Sequence, residues 1–184
     1  QELEQNVMAE LDELGMEGAL FKVHFKHLDI EEAKDYGLDQ VEFMLSANKG
    51  EALKPLADTA SGGEASRIML AIKVTLAEAD DTPLLVFDEI DTGISGRTTE
   101  IVGRKLEELG RTHQIICVSH QAQIAARADR HFYIYKESDD LRTRTHINLL
   151  KEEERPGEIA RLLSGRSDDS KSLSLARDML GSRS

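Results

Sequence analysis

At 184 residues, 40% hydrophobic and 32% charged, the chain is long enough to bury one sizeable core and short enough not to need two. A net charge of -12 repels a phosphate backbone, and 4% aromatics with no Trp gives no stacking platform, so the sequence excludes a self-sufficient nucleic-acid-binding module. The single cysteine, Cys117, lies in the apolar run 115–118 as a small hydrophobe and excludes an internal disulfide, while no apolar stretch reaches membrane-spanning length. A soluble protein in a reducing cytoplasm fits, and the opening on Gln1 without a Met reads as part of something longer.

The elements follow in chain order. Leu3, Val7, Leu11 and Leu14 recur at helical spacing among acidic and polar residues, predicting an amphipathic helix over 1–14 that starts without a cap, either the end of a longer coiled-coil helix or a plain surface helix. Alternation in 21–25 and 41–45 predicts two half-exposed antiparallel strands. His24 and His27 fall on opposite faces of the first, which argues against a metal site. A polar loop through Lys54, Pro55 and Leu56 leads to Ser61-Gly62-Gly63-Glu64, and a helix runs from Glu64 to about Ala79. Ser61 with Glu64 has the spacing of a capping box. The same segment also offers free backbone N–H groups at a positive helix end, with glycines that let a phosphate approach.

Leu84-Leu85-Val86-Phe87 runs straight into Asp88-Glu89, which predicts a strand buried on both faces with two carboxylates at its end. A glycine-bearing loop, a helix over 97–109 and a second apolar run, 115–118, then imply a right-handed parallel crossover. Both strands end on one sheet edge, so Asp88, Glu89 and His120 converge where open α/β proteins bind ligands. A short helix over 122–128, a hairpin of strands 132–135 and 144–150 turning at 138–140, and helices over 158–163 and 171–180 complete the reading.

Taken jointly, Ser61-Gly62-Gly63-Glu64, the strand ending in Asp88-Glu89, Asp91 and His120 resemble, in order and spacing, the signature, Walker B with its glutamate, the D-loop and the H-loop of an ABC-type ATPase head. More narrowly, 60–73 and 87–96 are similar to the RecN branch of the SMC-like proteins, bacterial ATPases of double-strand-break repair. The fold so implied is α/β: the C-terminal lobe of an ABC/SMC-type head over 15–184, a mostly parallel sheet flanked by helices with antiparallel strands toward the ends, entered by residues 1–14 as the last turns of a coiled coil. No Gly-x-x-x-x-Gly-Lys-Ser/Thr phosphate loop occurs in the sequence, and in this family it lies in an N-terminal lobe.

The resemblance implies roles as well. ATP and Mg²⁺ are the expected cofactors, with Asp88 as the metal ligand, Glu89 as general base on the attacking water and His120 on the γ-phosphate or that water. Ser61, Gly62, Gly63 and Glu64 would bind ATP held by a second head, and Asp91 would join the two sites. Expected partners are the N-terminal Walker A lobe, a second identical head across ATP, and DNA through the full-length protein. No membrane is involved, and the setting is the cytoplasm at the nucleoid. Two alternatives stay open. One is a nucleotide-gated dimerisation and DNA-holding module with slow hydrolysis. The other is a transporter ATPase, although those proteins usually carry a proline where Ile90 follows Glu89.

Overall fold

The computed structural model describes residues 1–33, 35, 37–58, 62–139 and 142–182. The chain forms two compact units, Gln1–Val118 and Ser119–Ser184.

In the first unit, α1 (Glu2–Glu13) buries Val7 and Leu11 and packs on the following helix and strand, as its spacing predicts. Strands β1 (Leu20–His27), β2 (Asp39–Ser46) and β3 (Lys54–Pro55) form an antiparallel sheet in that order. Here β3 corrects the expected loop: Lys54 and Pro55 pair with Leu45 and Met44, and the proline, which cannot donate, sits on an edge strand. Helix α2 (Gly62–Thr75) ends short of Ala79, where Leu76 and Ala79 continue as turns. Strand β4 (Leu84–Phe87), helix α3 (Arg97–Leu109) and strand β5 (Gln114–Cys117) form the expected crossover, with Leu84 opposite Gln114 and Phe87 opposite Cys117 in parallel register.

The α/β class is as expected, with two differences in detail. Parallel pairing among the described strands is confined to β4 and β5, so the parallel share of the sheet is smaller than expected. The predicted burial of β4 on both faces is also corrected. Leu85 and Phe87 are 7% and 2% exposed, but Leu84 and Val86 on the other face are 43% and 62% exposed, and Ile116 and Val118 extend that open face at 48% and 50%. A continuous apolar run reports that both faces suit a dry environment, not that this chain supplies both covers.

Polar groups tie the first unit together. The Lys105 ammonium of α3, itself nearly buried, makes ion pairs with Glu10 at 2.5 Å and Glu13 at 2.8 Å on α1. Burial alone would lower its pKa, but the two carboxylates outweigh that and hold it above the ordinary lysine value. At the other end of α2, Lys73 reaches Asp80 at 2.5 Å, and Thr82 adds its hydroxyl at 2.6 Å and its amide at 3.0 Å. These bonds, that of Lys73 foremost, hold the Asp80 carboxyl far below the usual carboxylate range.

In the second unit, helix α4 (Ala122–Ala125) precedes the expected hairpin of β6 (Phe132–Ser138) and β7 (Thr143–Leu149); Asp140, in its predicted turn, lies outside the described residues. Helix α5 (Arg155–Ser164) starts earlier than predicted, because Pro156 is tolerated in a first turn that needs no intrahelical N–H. The Asp169 carboxylate caps α6 (Ser170–Gly181) by accepting the Ser172 amide at 2.8 Å. Ala122, Ala126, Ile159, Ala160 and Ala176 form the core of this unit.

Because the folded-state pKa of Asp80 is depressed, its contribution to stability is complete above the ordinary aspartate value of about 4 and is lost as pH falls through the folded value. Urea midpoints measured between about pH 5 and pH 2 are expected to fall less steeply for Asp80→Asn than for the unaltered chain.

Candidate functional site

Strands β4 and β5 end together. The Val118 amide donates to the Phe87 carbonyl at 2.9 Å, so the chain leaves β4 at Asp88 on the edge where both strands have their C-termini. The turn is tight. The Asp88 carboxylate accepts the Glu89 amide at 2.9 Å, and Glu89 has φ 54°, the left-handed region that costs an L residue roughly 1 kcal/mol or more. Surrounding bonds over-determine this conformation. Thr92 donates its amide to the Glu89 carbonyl at 2.9 Å. From α2, the Ser66 hydroxyl donates to the Asp88 carbonyl at 2.6 Å, and the Arg67 guanidinium donates to the carbonyls of Thr92 at 2.7 Å and Ile90 at 3.4 Å.

The first turn of α2 rests on this loop, and two glycines allow it. A β-carbon on Gly63 would lie 2.9 Å from both the Glu89 carbonyl oxygen and the Thr92 β-carbon. One on Gly62 would collide with a Glu89 carboxylate oxygen. The Glu89 side chain therefore lies against the N-terminal turn of α2, where the helix dipole favours an anion. Glu64 stands in the same first turn and acts electrostatically on Arg67.

The predicted site residues are thus partly assembled. Gly62, Gly63, Glu64, Asp88, Glu89 and Asp91 all belong to the first unit, with Asp91 3% exposed. Ser61 lies outside the described residues. His120 is exposed and belongs to the second unit, where its Nε2 lies 3.5 Å from the side-chain Nε2 of Gln121. At the end of β5, burial first and then the charges of Asp91 and Asp88 push the Cys117 thiol up to about 12, so it stays protonated and is no nucleophile. Ser66 and Arg67 are the residues that the sequence reading left without a role. The available signal was a guanidinium on the buried face of α2, between Gly63 one turn before it and Leu70 and Ala71 one turn after.

Chemically, the edge offers an open carboxylate, a second carboxylate beside it and a glycine-lined helix N-terminus. No group of three or more His, Cys, Asp or Glu side chains able to hold a metal occurs among the described residues. A cation that takes one carboxylate and completes its shell with water and phosphate oxygens, as Mg²⁺ does, fits Asp88, which is exposed and spends one oxygen on the Glu89 amide. No helix among the described residues is long and apolar enough to cross a membrane.

Comparison with solved structures gives the class first. The Smc head domain of Pyrococcus yayanosii, solved with a coiled coil and joint, matches 89% of this chain and 29% of that one with a TM-score of 0.58 at 20% identity, which defines an SMC-type head fold. The family model described as "RecF/RecN/SMC N terminal domain" matches residues 6–143, and the chain belongs to that family. It is 44% identical over 178 residues to the DNA repair protein RecN of Deinococcus radiodurans, covering 97% of this chain and 31% of the relative. With RecN of Vibrio cholerae the identity is 40% over 179 residues, covering 97% and 32%. The chain thus spans about a third of the length of these curated relatives.

The two glycines differ in what they would displace, and a measurable difference follows. Gly63→Ala must move backbone and is expected to lower stability by about 1–3 kcal/mol in urea unfolding. Gly62→Ala need only swing an exposed carboxylate aside and should cost about 1 kcal/mol or less. Equal losses would place the α2 turn elsewhere.

Proposed function

We propose that the chain is the C-terminal lobe of an ATP-hydrolysing head of RecN type, acting in DNA double-strand-break repair. The observation that carries this reading is the pair Asp88-Glu89 at the end of β4, seated on the glycine turn that opens α2. Family membership and the RecN relatives support it. The matching family model bears the description of an N-terminal domain, whereas the motif content favours the other lobe, because no phosphate loop occurs in the sequence. The open apolar face of β4 and β5 also supports a sheet completed by a separate segment, which on this reading is the lobe with the phosphate loop. Helix α1 would then be the end of the coiled coil joining the two lobes.

Phosphoryl transfer asks the protein for positioning and charge, and the residues divide the work accordingly. Asp88 would hold Mg²⁺, directly or through water; when bound, the ion neutralises charge on the phosphates. Glu89 would take the proton of the attacking water. A carboxylate on a fixed backbone turn suits that task, because the base must meet the water at hydrogen-bond distance. His120 would hold the γ-phosphate or the water. Ser61, Gly62, Gly63 and Glu64 would meet the γ-phosphate of ATP bound to a second, identical head, and Asp91, buried in the loop after β4, would link the two sites. ATP so shared joins the heads, and hydrolysis parts them. The charge of -12 leaves DNA to other parts of the protein.

In the ATP-hydrolysing protein that contains this lobe, Glu89→Gln is expected to lower turnover roughly 10²- to 10⁴-fold, the range for a lost general base, while ATP still joins the heads. Phosphate release and sedimentation check the two halves of that statement. The 184-residue chain by itself is expected to hydrolyse no ATP above background.

A further inference from the structure

We propose that Ser66 and Arg67 are positioning residues for Glu89: they fix to α2 the loop that carries it. This rests on the role given to Glu89 above. Three carbonyls flank or follow that residue at alternate positions, those of Asp88, Ile90 and Thr92, and all three are held by these two neighbouring side chains. The carbonyl of Glu89 itself accepts from Thr92 and packs against Gly63. The peptide oxygens from Asp88 to Thr92 are thus largely committed, most of them to α2.

Arg67 is expensive where it sits. It is 5% exposed within an apolar helix face, burial lowers its pKa against the pull of Glu64, and its buried Nε has no partner among the described residues. An apolar residue would pack there without leaving a donor unmet. What an apolar residue could not do is hold two carbonyls on the far side of a residue at φ 54°.

The test has two arms, both in the full-length protein. The first is amide hydrogen exchange, which needs no ATPase activity. Ser66→Ala and Arg67→Lys are expected to accelerate exchange of the Thr92 amide at least tenfold, with the unfolding midpoint used to subtract global opening. Unchanged exchange at Thr92 in both variants overturns the proposal. The second arm is a double-mutant cycle on turnover. Arg67→Ala should lower kcat by roughly tenfold to a hundredfold, the scale of a misplaced catalytic group, and leave KM for ATP unchanged. Combined with Glu89→Gln it should cause no further loss, because a residue acting through Glu89 has nothing left to position. Losses that multiply would mean that Arg67 acts elsewhere and overturn the proposal. Should Arg67→Ala not fold, Ser66→Ala, which removes one bond from a partly exposed hydroxyl, carries the same cycle. If Glu89→Gln alone leaves turnover intact, the base assignment fails, and the exchange arm still decides whether Ser66 and Arg67 fix the loop.

Discussion

A chain leaving the end of a parallel strand must give its carbonyls new partners at once, and here one helix supplies most of them. Gly63, Ser66 and Arg67 are spaced i, i+3 and i+4, so a single face of α2 presents a bare contact point, a hydroxyl and a guanidinium to the loop after β4. The glycine sets how close the helix can come, and the two donors then reach their oxygens at hydrogen-bond distance. Glu89 keeps its unusual backbone because everything around it is already committed. The site is therefore a property of the packing between α2 and the loop that follows β4. Lys105 pins α3 to α1, and Lys73 pins the end of α2 to the connection into β4.

The first unit is well made on one side of its parallel strands and open on the other. Leu85 and Phe87 pack inward while Val86, Ile116 and Val118 remain exposed. Apolar side chains on a parallel pair normally meet a cover on both faces. The uncovered face lies beside the acidic edge, in a chain that spans about a third of the length of its curated relatives. In the proposed function this chain would supply the hydrolytic base and the cation's carboxylate, and the loop that cradles phosphates would come from a separate segment.

Most of the fold was legible because its elements carry clean periods. The four-residue spacing of Val7 and Leu11, the alternation in 21–25 and the apolar runs at 84–87 and 115–118 each gave the right element, to within a residue at the ends of the last. Failures have physical causes. Strand β3 is two residues long and contains a proline, so no local period could show it. The depth of β4 was overestimated because composition records the environment a strand suits, whichever segment provides it. Around the candidate site, the places of Asp88 and Glu89 after an apolar strand and of the glycines at the start of a helix were legible. Arg67 was not, since its partners are carbonyls 23 and 25 residues away that no side-chain pattern announces.

The central claim is that this lobe gives its base to one ATP and its glycine turn to another, and mixing two inactive proteins tests it most directly. Full-length Glu89→Gln keeps an intact turn, and full-length Ser61→Arg keeps an intact base. In a head pair made of one of each, one of the two sites would combine the good base of one protein with the good turn of the other. Mixing them is predicted to restore ATP turnover that neither shows alone. A mixture as inactive as its components would contradict the shared site.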